Sequence, residues 1–313
     1  EYRALRAQKG GFLALVYDSD AAAEITLQPI RRFGFDGAIL FSDILIVPYA
    51  MGQDLEFLVG EGPHLSPRLV DTTLGALQAV PSPLAPIYES VAKVRAGLDQ
   101  GRTLLGFAGS PWTIATYMVA GQGSRDQHDA RSLAYRDPGA FQAIIDAIVE
   151  VTVEYLVGQA MAGAEAVQLF DSWAGSLAPA EFERWVIAPN AAIVAALKRR
   201  LPDLPIIGFP KGAGEKLPAY VRETGIDAVA LDETIDPFWA DKVLPDGMPV
   251  QGNLDPLLIE AGGANLDYQA RRILDCFAGR PHVFNLGHGI GQFTPIEHVE
   301  QLLGVVRAWR RPA

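Results

Sequence analysis

The chain has 313 residues, 49% of them hydrophobic, and a formal net charge of −11 at pH 7. This length accommodates one large α/β barrel or two ordinary domains, and the acidic balance argues against a general nucleic-acid binder. No apolar run reaches the roughly 18 residues needed to cross a membrane, and no signal-peptide pattern is visible. The single cysteine, Cys276, excludes an internal disulfide and is typical of a reducing compartment. We therefore expect a cytoplasmic protein without a membrane or nucleic-acid partner.

Short apolar runs alternate with helical patterns along most of the chain. Such alternation is typical of parallel strands connected by helical crossovers. The helical patterns cover residues 21–33, 88–100, 138–162, 180–200 and 215–224. The apolar runs cover residues 37–40, 103–108, 166–170, 205–209, 227–231, 250–252 and 282–286.

These runs predict seven strands, whereas a closed barrel needs an eighth. We expect the eighth in the Gly- and Pro-rich region between residues 60 and 75, after a short hairpin predicted around residues 56–59. No dinucleotide-binding glycine turn or P-loop is present, and no linker divides the chain. The predicted fold class is therefore α/β: a single (β/α)8 TIM barrel domain over residues 1–313, with its active site at the C-terminal rim of the parallel strands.

Polar or Gly-rich residues follow each predicted strand. In a barrel these positions share one face, which is the catalytic one. Each residue alone has an ordinary explanation as a helix cap or a turn residue, so position does not separate catalytic from structural residues. Those that could carry chemistry are Asp43, Tyr117, Asp171, Ser172, Lys211, Asp232, Glu233 and His288.

Five ordered parts of the sequence resemble the signature segments of the uroporphyrinogen decarboxylase family, and the resemblance extends from residue 1 to the C-terminus. It implies a single (β/α)8 barrel that forms a homodimer. The five parts are residues 26–33 leading into 39–45, 108–118, 168–175, 252–256 and 285–289.

The resemblance also implies an activity. Members of this family are carboxy-lyases of haem biosynthesis that remove CO2, without a cofactor or metal, from the four acetate side chains of uroporphyrinogen III to give coproporphyrinogen III. By motif match, Asp43 and Tyr117 are the catalytic residues. The same two residues bind the tetrapyrrole substrate together with Ser172, His288 and Arg6.

The implied chemistry explains why an acid is needed at position 43. A pyrrole acetate loses CO2 only when protonation of the adjacent ring carbon turns the ring into an electron acceptor. A carboxylate against the pyrrole N–H groups stabilises the resulting cation. We expect Asp43 to be this permanently charged anion. The proton donor stays open: an arginine that holds the reacting carboxylate, either Arg6 or one upstream, or else His288.

The sequence departs from the family pattern at its start and at three later places. The family carries an Arg-Gln-Ala-Gly-Arg-Tyr-Leu motif just before the segment that residues 1–3 end, and both arginines bind and act on substrate carboxylates. Two alternatives stay open: an upstream segment carries this motif, or the protein lacks it. Tyr49, Glu233 and residues 291–293 also differ from the usual family residues, which we interpret as drift at the edge of the cleft.

Two other functions fit parts of this pattern. Corrinoid- and thiol-dependent methyltransferases resemble the decarboxylases overall, but they bind zinc through His and Cys. Cys276 lies in a predicted helix well before His288, so the sequence lacks that ligand set. The third hypothesis is a non-catalytic tetrapyrrole-binding protein, which is favoured if the protein lacks the arginine motif.

Overall fold

The computed structural model describes residues 2–58, 62–78 and 83–311. The strands are β1 (Gly37–Ile39), β2 (Asp54–Leu58), β3 (Gly62–Ser66), β4 (Thr103–Gly109), β5 (Ala166–Asp171), β6 (Ile206–Pro210), β7 (Ala228–Ala230), β8 (Val250–Gln251) and β9 (His282–Val283). The helices are α1 (Tyr2–Lys9), α2 (Phe12–Tyr17), α3 (Ser19–Phe33), α4 (Ile46–Ala50), α5 (Ala85–Gly97), α6 (Pro111–Ala120), α7 (His128–Arg136), α8 (Pro138–Ala162), α9 (Pro179–Phe182), α10 (Ala188–Arg200), α11 (Leu217–Thr224), α12 (Pro237–Val243), α13 (Pro256–Ala261), α14 (Gly263–Cys276) and α15 (Ile296–Ala308).

Several helices begin and end at the residues that local chemistry favours. Asp18 caps α3 by accepting a hydrogen bond from the backbone N–H of Ala21, and Asp137 caps α8 in the same way just before Pro138. Gly34 ends α3 with φ +63°, a left-handed conformation that costs glycine little. None of the helices in the described ranges combines the length and apolar character that crossing a bilayer demands.

Seven strands form one parallel sheet in the order β1-β4-β5-β6-β7-β8-β9. These are the seven strands that the apolar runs predict, so the α/β class and the parallel sheet are confirmed. Because all seven run in the same direction, the residues that follow their carboxyl ends share one edge of the sheet. We call these residues the carboxyl edge.

The segment expected to supply an eighth parallel strand does something else. Within the described part of that region, Gly62–Ser66 pairs antiparallel with Asp54–Leu58, and Leu55 and Leu65 are buried partners in this two-stranded sheet. The predicted antiparallel pairing is thus present, although Val59, which the prediction includes, lies outside the described residues. The assignment of an eighth strand to residues 62–75 is wrong, because a local partner strand satisfies the backbone hydrogen bonds of residues 62–66.

The sheet is curled, because contacts link the two ends of the strand order. Arg307 on α15 donates hydrogen bonds to the carbonyl oxygens of Phe33 (2.5 Å) and Gly34 (3.0 Å), just before β1. Arg3 on α1 donates to the carbonyl oxygen of Gln292, after β9, at 3.0 Å. The helices α1 and α15 therefore connect the segment before the first strand with the segment after the last one.

Both outer strands are more exposed than their apolar sequences predict. The run at residues 37–40 predicts a buried strand, yet Ile39 is 44% exposed, and Val283 in β9 is 57% exposed. Each of these strands pairs on one side only within the described residues, so it lacks the cover that a second neighbouring strand would give.

Aromatic side chains pack at the sheet and beneath the helices. On the neighbouring strands β4, β5 and β6 the rings of Phe107, Phe170 and Phe209 follow one another, with centroid distances of 5.6 Å and 5.8 Å. Under the helices, Phe141 contacts Trp112 and Trp185, and all three are fully buried. Burying a side chain of this size contributes about 1.5–3 kcal/mol to the fold.

Candidate active site

The loop after β1 is fixed from two neighbouring helices. The hydroxyl of Thr26 on α3 accepts a hydrogen bond from the backbone N–H of Phe41 at 2.9 Å. The hydroxyls of Ser42 and of Tyr155 on α8 lie 3.4 Å apart. These contacts hold the backbone on the N-terminal side of Asp43. The residue lies four positions beyond Ile39, the last residue of β1, and not at the strand end itself.

The carboxylate of Asp43 has little compensation for its charge. Its Oδ1 accepts a hydrogen bond from the backbone N–H of Leu45 at 2.8 Å, and no cationic side chain of the described residues pairs with it. Burial raises the pKa of Asp43 to about 6, although the Leu45 hydrogen bond lowers it. The group is therefore an anion at neutral pH with acceptor capacity left over.

Tyr117 stands beside Asp43, as the predicted site requires. It is a half-buried residue of α6, the helix that follows β4. Burial raises the pKa of the Tyr117 phenol and the charge of Asp43 raises it further, whereas the nearby indole of Trp173 lowers it. The phenol therefore stays protonated at neutral pH and is available as a hydrogen-bond donor.

Ser172 lies in a loop whose backbone is set by a buried acid. Asp171, the last residue of β5, accepts a hydrogen bond from the hydroxyl of Thr113 at 2.5 Å. The same hydroxyl accepts one from the backbone N–H of Trp173 at 3.1 Å. Ser172, between these two anchors, is half-buried. Asp171 itself is fully buried, and burial raises its pKa to about 7.

His288 lies on another part of the carboxyl edge, after β9. Its ring lies 6.2 Å from the ring of Phe209, centroid to centroid. Partial burial lowers the pKa of His288 and the charge of Lys211 lowers it further, while Glu233 and Asp232 raise it. The side chain, which is largely exposed, is therefore shifted towards its neutral form and lies among charges of both signs.

Arg6 lies on α1, a helix that contacts both the loop of Asp43 and the segment after His288. The ring of Tyr2 packs on Phe41 at 5.7 Å, next to the Asp43 loop, while Arg3 reaches the segment after His288. Arg6 is exposed and forms no ion pair within the described residues. It lines an open cavity of about 700 Å³ together with Tyr2, Arg3, Ala7, Gly10, Gly11 and Gln292.

The structure thus brings Asp43 and Tyr117 together, and it puts Ser172 and His288 on the same edge of the sheet. Sequence reasoning missed Tyr155 on α8, which contacts the Asp43 loop through Ser42. The helical pattern of α8 does not indicate that contact. Sequence reasoning also left open whether Asp171 has a structural or a chemical role, and did not pair it with Thr113, which accounts for one of its oxygens. Among the described residues, no group of three or more His, Cys, Asp or Glu side chains is arranged to hold a metal ion.

A curled parallel sheet with polar side chains at the carboxyl ends of its strands defines a broad class of α/β proteins. A methyltransferase from Methanosarcina mazei shares this fold with a TM-score of 0.81 and 16% identity, over 96% of this chain and 89% of that one. A B12-independent methionine synthase from Shewanella sp. W3-18-1 matches with a TM-score of 0.62 and 12% identity, over 93% and 86% of the two chains. At these identities the likeness shows the fold alone.

Sequence relatives define the family within this class. The uroporphyrinogen decarboxylase family model matches residues 1–309. The uroporphyrinogen decarboxylase of Novosphingobium aromaticivorans is 75% identical, over 99% of this chain and 91% of that protein. Those of Erythrobacter litoralis and Paracoccus denitrificans are 72% and 50% identical, over 99% and 98% of this chain and 91% of each relative. The chain belongs to the uroporphyrinogen decarboxylase family, which confirms the resemblance.

Proposed function

We propose that the protein catalyses the cofactor-free decarboxylation of uroporphyrinogen III, turning its four acetate side chains into methyl groups. The products are coproporphyrinogen III and CO2, so the protein is a carboxy-lyase of porphyrin biosynthesis. Family membership supports the reaction. The observation that carries the mechanism is the half-buried carboxylate of Asp43, which has no cationic partner among the described residues and lies beside the phenol of Tyr117.

Each decarboxylation consumes one proton. A proton adds to the ring carbon next to the acetate, and the pyrrole becomes a cation. The bond between the methylene and carboxylate carbons then breaks and CO2 leaves. The electron pair of that bond flows into the ring. The exocyclic methylene formed in this way takes up a proton to become a methyl group, while the ring carbon loses the proton it gained.

Asp43 stabilises the cation in this sequence. Its oxygens accept hydrogen bonds from pyrrole N–H groups, and its negative charge lies close to the ring as positive charge develops. Because no cation of the described residues neutralises Asp43, its field acts on the substrate rather than on a protein partner. Tyr117 remains protonated and donates a hydrogen bond to Asp43 or to a substrate carboxylate.

The peripheral carboxylates of the substrate need hydrogen-bond donors and positive charge. Ser172, His288 and Arg6 offer a hydroxyl, an imidazole N–H and a guanidinium on different parts of the carboxyl edge. Phe170, the half-buried ring between the buried rings of Phe107 and Phe209, offers the tetrapyrrole an apolar contact. The proton donor is an arginine that holds the reacting carboxylate or, failing that, His288.

Several features of the assembly are part of the same proposal. The sheet is the larger part of a single (β/α)8 barrel domain over residues 1–313, and the carboxyl edge is its catalytic rim. The curled order of seven parallel strands supports this architecture. The homodimer and the cytoplasmic location follow from the family resemblance and from the single cysteine, respectively.

The test is anaerobic incubation of the intact protein with uroporphyrinogen III, followed by separation of the products by carboxylate number. Stepwise loss of carboxylates, ending at the tetracarboxylate, is the expected result. If the protein binds uroporphyrinogen and removes no carboxylate, the non-catalytic tetrapyrrole-binding hypothesis replaces this proposal.

A further inference from the structure

Two charged side chains on the carboxyl edge have no role in the function proposed above: Lys211, after β6, and Glu233, after β7. Their Nζ and Oε1 atoms lie 3.5 Å apart. This distance exceeds the roughly 2.7–3.2 Å of a completed hydrogen bond, so the two groups attract as charges only. Oε2 of Glu233 is buried and makes no hydrogen bond within the described residues. The pair therefore retains unused donors on the ammonium and an unused acceptor on the carboxylate.

The backbone around this pair is held by one buried acid. Asp232, which is 1% exposed, accepts a hydrogen bond from the backbone N–H of Gly212 at 2.8 Å. Its other oxygen accepts one from the backbone N–H of Thr234 at 2.8 Å. These bonds connect the residue after Lys211 to the residue after Glu233. The two side chains can turn to new partners while their backbones stay at a fixed separation.

The loop of His288 presses against the same pair. A Cβ atom on Gly287 would lie 2.2 Å from the backbone nitrogen of Glu233, so a larger residue does not fit there without a backbone shift. His288 follows directly. After burial, the largest single influence on the pKa of His288 is the charge of Lys211, which lowers it, and Glu233 acts in the opposite direction. An ammonium, a carboxylate and an imidazole thus share one small region.

We propose that Lys211 binds a carboxylate of uroporphyrinogen beside His288, and that Glu233 competes with this carboxylate for the ammonium. The inference rests on the function proposed above. The substrate carries a carboxylate on every acetate and propionate side chain, and the anion Asp43 repels them, so they need cations elsewhere on the edge. The three N–H donors of the ammonium serve Glu233 and the substrate together. Competition from Glu233 limits the affinity and speeds the release of product.

Steady-state decarboxylation of uroporphyrinogen III by the wild type, Lys211→Met, Glu233→Gln and the double variant tests this role. Loss of the cation in Lys211→Met is expected to raise KM about 10-fold, the scale of one charged hydrogen bond, with kcat within about threefold of the wild type. Loss of the competitor in Glu233→Gln is expected to lower KM about threefold. The double variant is expected to have the same KM as Lys211→Met, because without the ammonium there is no group for which Glu233 and the substrate compete.

Two further variants separate binding from packing. Lys211→Arg restores a cation and is expected to return KM to within about threefold of the wild type, which a purely packing role would not do. Lys242→Met, at an exposed lysine of α12, is the matched control and is expected to leave KM unchanged. If Lys211→Met is unfolded by circular dichroism, Glu233→Gln and Lys211→Arg decide. An unchanged KM in Lys211→Met and Glu233→Gln, with normal wild-type turnover, overturns this inference alone, whereas a wild type without turnover overturns the proposed function.

Discussion

Two parts of the carboxyl edge handle charge in opposite ways. On one part, which we call the acid side, Asp43 and Tyr117 follow β1 and β4, and Asp43 has a single backbone hydrogen bond and no cation among the described residues. On the other part, the paired side, Lys211, Glu233 and His288 follow β6, β7 and β9 and influence one another. The difference indicates two kinds of ligand group. A half-buried anion that no described cation compensates suits uncharged N–H donors that become cationic, whereas a cation with a replaceable partner suits carboxylates.

The largest effect should come from removing the charge on the acid side. Asp43→Asn keeps the shape of the side chain and removes its field, so we expect kcat for uroporphyrinogen decarboxylation to fall at least about 100-fold, the scale of one electrostatic stabiliser. Circular dichroism is expected to show an unchanged fold. Asp54→Asn, at an exposed acid of β2, is the control and should keep full activity. Near-normal turnover by Asp43→Asn would contradict the role given to the acid side.

The next effect is a pH dependence that belongs to the acid side alone. The pKa of Asp43 is raised to about 6, so the catalytic anion is lost as pH falls through that value. We expect kcat/KM to drop about 10-fold per pH unit well below pH 6, as for any single required ionisation. A pH–rate profile from pH 4.5 to 8 measures this. His288→Asn should keep the same acid limb, and its disappearance in that variant would assign the ionisation to the paired side instead.

A smaller effect concerns stability. Burial raises the folded-state pKa of Asp43 from 3.8 to about 6, so the folded protein holds this proton more tightly than the unfolded chain does. Ionised Asp43 therefore costs stability above pH 6, and the cost disappears as pH falls towards 4. We expect Asp43→Asn to raise the free energy of unfolding by about 1–3 kcal/mol at pH 7.5.

Urea denaturation at pH 7.5, 6 and 4.5 measures this difference, which should shrink at each step. Glu233→Gln is the matched variant on the paired side, where Lys211 already compensates the charge, and we expect less stabilisation there. Equal stabilisation by the two substitutions would remove the distinction between the acid side and the paired side.

The smallest effect is a change in the pKa of His288. The charge of Lys211 lowers this pKa and that of Glu233 raises it. Lys211→Met should therefore raise the pKa of His288, and Glu233→Gln should lower it. Titration of the imidazole signal by NMR reads out both shifts, with Asp43→Asn as the variant expected to leave the signal unchanged. Shifts of the same sign in both charge variants would show that the groups do not interact as described.

Much of the fold was predictable because it depends on local pattern. Apolar runs between helical patterns predict parallel strands, and all seven are present in that order. The antiparallel pairing of β3 with β2 shows the limit of this reasoning, because a Gly- and Pro-rich segment does not reveal which strand it pairs with. The exposure of Ile39 was not predictable for a related reason. An apolar run predicts a strand, but it does not indicate whether that strand lies at the end or in the middle of the sheet.

The candidate site divides in the same way. The sequence by itself determined the family and the positions of Asp43, Tyr117, Ser172 and His288 after particular strands, because ordered motifs and strand ends are readable along the chain. Only the tertiary structure decided that Asp43 has no cationic partner within residues 2–58, 62–78 and 83–311, while Asp171, also an acid after an apolar run, lies buried against Thr113. It likewise decided that Lys211 meets Glu233. Charge compensation depends on distances between residues far apart in the chain, and a linear sequence does not contain those distances.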